Sequence, residues 1–309
     1  MLEYHICLNS KQRLTLFIDF FRMKIGIFGS SGFIGSHLKV ALAANHEVFG
    51  FTRLDLSIDS GLLAAKLEGI DVIINLVGES ILAHRWTPSY KKKILESRIN
   101  ALTSIQKALE LTKLKPSMIL SASAIGIYKP KIKSDEFSTK LENDFIADIV
   151  KKWEKAAFAL KVLGPEVLVL RFGIVLKREG AALKEMISIF KRGVGVMMGP
   201  GSNVYPYISL NDLIRAVGFL IENKTSFGVY NLVAPVRTTN MEFSRALAKT
   251  LKTRIILPVP SWFFTIFLGH RAKVIMAGQH VIPKRLVDLG FHFEDSNIAE
   301  FLSKEINSK

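Results

Sequence analysis

A chain of 309 residues, 49% of them hydrophobic, is long enough to bury a large core, yet no unbroken apolar run is long enough to span a bilayer. The single cysteine, Cys7, excludes an intrachain disulfide and a cysteine-cluster metal site and fits a reducing compartment, so no metal and a cytoplasmic location are expected. A net charge of +15 would suit nucleic acid or an anionic membrane surface, but the lysines are scattered without interleaved aromatics, the run Lys91, Lys92 and Lys93 reads as a solvated helix face, and no helix-turn-helix, zinc or RNP-type signature accompanies the charge, so a nucleic-acid ligand is not expected.

Residues 1–22 look foreign to the remainder of the chain. The apolar run from Leu14 to Phe21 is short, contains Asp19 and is not succeeded by a small-residue cleavage pattern, which argues against an export signal. Met23 falls immediately before the first strand, so the preceding residues read either as an extension upstream of the natural start or as a peripheral amphipathic arm.

From Lys24 the pattern becomes regular. An apolar run, Ile25 to Phe28, breaks at Gly29 and resumes at Phe33 with helical spacing through Ile34, Leu38 and Leu42. That is strand, glycine turn, helix. Gly29 permits the tight turn, Gly32 lets backbone approach a pyrophosphate, and Gly35 lets the helix pack against the strand. Ser30, Ser31, Phe33 and Ile34 complete the candidate phosphate-binding turn, whose helix N-terminus offers free N–H groups to an anion.

A second strand, Glu47 to Phe51, ends in Thr52 and Arg53, with Asp55 and Leu56 close behind. In an open α/β sheet this strand end meets the adenosine ribose, where an acid would bond a 2′-hydroxyl and an arginine a 2′-phosphate, so Arg53 favours NADP over NAD. The third apolar run, Asp71 to Val77, reads as a strand buried on both faces. Leu76, Val77 and Gly78 stand at its carboxyl end, where such sheets bind ligands, and the loop to Trp86 brings Glu79, His84 and Arg85 there.

Thr87 and Pro88 open a helix running to about Leu111, a hydroxyl cap and then proline in the first turn. A fourth strand, Met118 to Ser121, leads into Ala122–Tyr128. A long amphipathic helix around Phe145, Ile149, Trp153, Ala156 and Leu160 closes at Gly164 and Pro165, and a fifth strand covers Val167 to Phe172. Strands alternating with helices specify an α/β fold with a doubly wound parallel Rossmann sheet.

The segments GSSGFIG, DVIINLVGES, HRWT, SASAIGIY, LRFGIVL and YPYISLNDL, in this order, resemble the extended short-chain dehydrogenase/reductase superfamily. PVPSWFFTIFLG and AGQHVIPKRLVDLGFHF narrow the resemblance to the atypical "epimerase family protein" subgroup, with its small C-terminal domain of unknown function. The resemblance implies an NADP(H)-binding domain over residues 23–176, to which 208–235 returns, and a C-terminal substrate lobe built from 177–207 and 236–309. It implies a small-molecule substrate and is compatible with a homodimer.

The chain departs from the superfamily where a Tyr-x-x-x-Lys unit would move protons. None occurs, and Ile146 and Val150 stand where Tyr and Lys are usual when Glu154 is aligned with the downstream acid. Ala124 takes the usual hydroxyl position, with Ser123 one residue earlier. Lys129 replaces a glycine, and Ser209 and Asn211 replace the common histidine and aspartate, while Asp212 reads as the cap of a helix from Leu213 to Asn223. The candidate catalytic groups are therefore Ser123, Tyr128 and Glu79, with Arg85, Trp86 and Arg171 as substrate contacts. The expected function is an NADP-dependent oxidoreductase or epimerase-like enzyme with an unorthodox acid; the alternative is a non-catalytic NADPH-binding regulatory module. The apolar tract Trp262 to Leu268 reads as core or subunit contact.

Overall fold

The computed structural model describes residues 22–223 and 227–307; the expectations for the N-terminal extension and Cys7 lie outside them. Six strands make the central sheet: β1 (Lys24–Phe28), β2 (Glu47–Phe51), β3 (Val72–Asn75), β4 (Met118–Ala124), β6 (Glu166–Phe172) and β10 (Gly228–Leu232). They are parallel and lie in the order β10-β6-β4-β3-β1-β2. This is the Rossmann-like α/β architecture.

The connecting helices form because their apolar residues fall on one face and their first turns are capped. They are α1 (Phe33–Leu42), α2 (Ser60–Leu67), α3 (Pro88–Leu111) and α4 (Phe145–Ala159). Asp59, Thr87 and Asp144 side chains accept first-turn N–H bonds in α2, α3 and α4. One sheet face packs Ile25, Ile27, Ile74, Leu120 and Leu170 against α1 and α6 (Leu210–Glu222), whereas Phe28, Ile73, Ile119 and Val169 pack against α2, α3 and α4 on the other. Alternating strand positions thus feed two cores, as a sheet covered on both faces requires.

The chain visits β1, then β2, then crosses to β3 on the opposite side of β1. The carboxyl ends of β1 and β3 therefore flank the topological switch point.

Outside this sheet lie three two-stranded pairs. They join β7 (Ile174–Leu176) to β9 (Tyr207–Ser209), β8 (Val194–Met198) to β11 (Ile255–Val259), and β5 (Lys133–Ser134) to β12 (His280–Val281). A third core gathers Leu183 and Phe190 of α5 (Ala181–Phe190), Phe243 and Leu247 of α7 (Asn240–Leu251), and Phe301 and Leu302 of α11 (Ile298–Asn307).

Two expectations are corrected here. The helix over residues 210–222 is capped by Ser209, whose hydroxyl accepts the Asp212 N–H at 3.0 Å. Asp212 sits inside the first turn, and its carboxylate instead accepts the N–H groups of Glu294 and Asp295 at 2.9 and 2.8 Å, pinning the C-terminal segment. The aromatic tract forms α8 (Ser261–Leu268), and Trp262, Phe263 and Ile266 are exposed, which removes the core alternative for these three and leaves the subunit-contact one. Two further short helices, α9 (Ala272–Met276) and α10 (Lys284–Asp288), come after it.

Candidate functional site

The glycine turn is tied to the sheet by its own backbone. The N–H groups of Gly29 and Ser30 donate to the Phe51 carbonyl at 3.0 and 3.3 Å, and the Gly32 N–H donates to Gly29 O at 3.0 Å. Gly29 has φ +82°, a conformation that favours glycine. A Cβ on Gly35 would lie 2.2 Å from Gly29 O, so only glycine lets α1 begin this close to β1. No side chain caps α1 at Gly32, which leaves its first-turn N–H groups directed at the switch point, the arrangement a bound phosphate completes. The turn fits a dinucleotide pyrophosphate.

At the carboxyl end of β2, Arg53 is exposed and its Nη1 lies 3.3 Å from Glu79 Oε2. Lys93 Nζ approaches the same oxygen at 3.6 Å. The Asp55 carboxylate accepts the Thr52 N–H at 2.8 Å, the Thr52 hydroxyl at 3.0 Å and Lys66 Nζ at 2.6 Å. Lys66 foremost, with the Thr52 N–H, lowers the Asp55 pKa to about 2. Leu56 packs into the core behind the turn, so these two residues shape the strand end from behind. Leu76 and Val77 pack at the end of β3.

Gly78 meets a residue that sequence reasoning passed over. A Cβ there would lie 3.0 Å from Arg98 Cζ. The Arg98 guanidinium donates to the carbonyls of Glu79 and Ile94 at 3.0 and 2.8 Å and sits over the Trp153 ring, 4.8 Å from its centroid. Burial lowers its pKa to about 10, against the opposing influence of Glu79. Its only sequence signal is an arginine four residues after Ile94 on a helix, which any solvated arginine would share.

Three other expected residues meet in a buried network. Arg171, near the end of β6, makes a two-pronged pair with Glu154 of α4, Nε to Oε1 and Nη2 to Oε2 each at 2.7 Å. Ser123 Oγ donates to Glu154 Oε1 at 2.7 Å. Arg171 Nη1 donates to the Tyr128 hydroxyl at 2.6 Å, which in turn donates to Asn231 Oδ1 at 2.9 Å. Asn231, in β10, also donates Nδ2 to Ile282 O at 3.0 Å. Tyr128 is wholly buried, and that burial raises its pKa despite the Arg171 charge. Burial disfavours the Arg171 charge, but Glu154 more than compensates and raises its pKa.

A cavity of about 390 Å³ lies beyond the carboxyl end of β4. Trp86 and Ile146 line it together with Val274, Met276 and Gln279. Trp86 is fixed by its indole N–H donating to Ile81 O at 2.8 Å and by an edge contact with Phe145 at 5.1 Å. Gly126 also lines it, and a Cβ there would come 2.6 Å from Ile146 Cγ2. The structure therefore brings Trp86 to the cavity and places Ser123, Tyr128 and Arg171 in the network behind it. Glu79 stands at the β2 end beside Arg53, and Arg85 is exposed to solvent; neither lines the cavity.

Residues 25–232 match the NAD dependent epimerase/dehydratase family, and residues 259–305 match a domain of unknown function, DUF1731. Epimerase family protein SAR0825 of Staphylococcus aureus is 36% identical over 286 residues, covering 88% of this chain and 95% of that protein. The crystal structure of human epimerase family protein SDR39U1 with NADPH superposes with a TM-score of 0.84 at 30% identity, over 93% of this chain and all of that one. A nucleoside-diphosphate sugar epimerase from Corynebacterium glutamicum, at 24% identity, shares the fold with a TM-score of 0.76 over 95% of this chain and 60% of its own.

Proposed function

Because the chain belongs to the NAD dependent epimerase/dehydratase family, we propose that it binds NADP(H) and acts as an oxidoreductase or epimerase-like enzyme on a small molecule. The observation that carries this reading is the glycine turn, in which a Cβ on Gly35 would strike Gly29 O at 2.2 Å and the helix behind it has no side-chain cap. Gly29 to Gly35 hold the pyrophosphate through backbone N–H groups. Arg53 takes the 2′-phosphate, and Leu76, Val77 and Gly78 line the path across the switch point. The human relative was crystallised with NADPH, which agrees with an arginine rather than an acid at the end of β2.

Bound there, NADP(H) would supply hydride-transfer chemistry. The chain's own residues position it and the substrate. Trp86, Ile146 and Gly126 line the cavity. Ser123, Glu154, Arg171, Tyr128 and Asn231 act as a positioning network that fixes the end of β4 against α4 and β10. The Tyr128 hydroxyl is held in it between Arg171 and Asn231, and burial raises its pKa.

Calorimetric titration with NADPH, NADP, NADH and NAD, repeated on Arg53→Ala at one salt concentration, tests the reading. Tight NADP(H) binding that weakens selectively in the variant supports it. Absence of binding by any dinucleotide overturns it.

A further inference from the structure

Building on that cofactor reading, we propose that the cavity takes an uncharged carbonyl compound with an apolar, ring-sized body, and not a nucleoside-diphosphate sugar. A diphosphate carries two negative charges and requires arginine, lysine or an uncapped helix end to replace its water. Among the described residues lining the cavity none is cationic, and the two charged ones are the carboxylates Glu142 and Asp144.

The described cations nearest to it stay outside the lining, Lys91 among them, whose Nζ lies over the Phe145 ring. Arg171 is locked onto Glu154 by two bonds of 2.7 Å. Arg85 is exposed and outside the lining. Lys151, the cation bonded to the wall segment, donates Nζ to the Glu142 carbonyl at 2.9 Å. The N-terminus of α4 does open beside the cavity, but Asp144 accepts the Ala147 N–H at 3.0 Å and Asp148 stands in the same turn. Its positive end already has two carboxylates.

What remains is a lining suited to an apolar body. Trp86, Ile146, Val274 and Met276 supply its apolar lining, and Gln279 provides a neutral amide for a carbonyl or hydroxyl oxygen. Ile146 occupies the position where the superfamily resemblance places a tyrosine, so an apolar side chain stands where other members carry a proton-transfer group. Aromatic and thioether walls favour ring stacking over solvation of charge.

The test titrates two probes, 4-phenyl-2-butanone and UDP-glucose, against the protein saturated with NADPH, read by saturation-transfer NMR and calorimetry. The ketone is expected to bind saturably and at least tenfold more tightly than UDP-glucose. Ile146→Trp and Met276→Trp, each of which adds bulk at a lining position, should each weaken the ketone by tenfold or more. Tighter binding of UDP-glucose, no saturable ketone signal, or ketone binding unmoved by both substitutions overturns the proposal. Should NADPH fail to bind, the cofactor reading falls separately, and the same probes titrated against the protein alone still decide what the cavity accepts.

Discussion

Arg53 Nη1 and Glu79 Oε2 face each other at 3.3 Å across the carboxyl ends of β2 and β3, with Lys93 Nζ at 3.6 Å from the same oxygen. The acid just beyond β3 is thus held beside the carboxyl end of β2, where the proposed cofactor would place its 2′-phosphate. A 2′-phosphate arriving there would compete with Glu79 for Arg53. Arg53→Ala should weaken NADPH roughly tenfold to a hundredfold, the range of a lost charge-assisted bond, and leave NADH nearly unchanged. Glu79→Gln should strengthen NADPH severalfold. Calorimetry at fixed salt reads both, and a Glu79→Gln protein that bound NADPH more weakly would show that the carboxylate helps the cofactor.

Gly35→Ala should abolish dinucleotide binding. The new Cβ would lie 2.2 Å from Gly29 O and 2.9 Å from its carbonyl carbon, so the turn must open or α1 must move off the strand. Overpacking of this kind costs about 1–3 kcal/mol. A thermal melt and an NADPH titration on the same sample check it; a variant with native melting and native affinity would show that the turn gives way freely.

Removing one member of the buried network should be expensive. Arg171→Met leaves Glu154 buried without its two-pronged partner and should cost about 3–5 kcal/mol, as for other broken buried pairs. Tyr128→Phe removes a hydroxyl that donates to Asn231 and accepts from Arg171, at about 1–3 kcal/mol. Urea denaturation measures both. A larger loss for Tyr128→Phe than for Arg171→Met would reverse the assigned hierarchy.

Asp55 should make the fold acid-sensitive. Its folded pKa of about 2 lies below the ordinary aspartate value of 3.8, so the ionised form is favoured in the native state. That contribution, at most about 2 kcal/mol and reduced by solvent screening, is complete above the unfolded pKa and is lost as pH falls from about 4 through about 2. Asp55→Asn should melt below the parent at pH 7, and the gap should close toward pH 2. A gap independent of pH would place the effect outside this titration.

Much of the sheet was legible because its signals are local. The apolar runs at Ile25, Val48 and Val72, the cap and proline at Thr87 and Pro88, and the glycines at 29, 32 and 35 each act within a few residues. The network was not legible, since Ser123, Tyr128 and Arg171 meet Glu154 and Asn231 across separations of up to 103 positions, and each alone resembles an active-site residue. At the start of α6 two cap-competent residues stand three apart, and spacing could not choose Ser209 over Asp212. The C-terminal part of the cavity lining was also hidden, because Val274, Met276 and Gln279 reach the end of β4 only through tertiary folding.

Strand β10 reaches its place beside β6 only after the chain has left the sheet and returned. Leu168–Phe172 pair with Gly228–Leu232, roughly sixty residues later, or about 3–12 seconds of synthesis at about 5–20 residues per second. During that interval the nascent sheet presents an apolar edge with unpaired N–H and C=O groups, the surface on which chains pair wrongly. A fragment ending at the close of β6 would carry that edge permanently. Fragments intended for expression should therefore extend through β10, and a chaperone acting on the growing chain would find its site along β6.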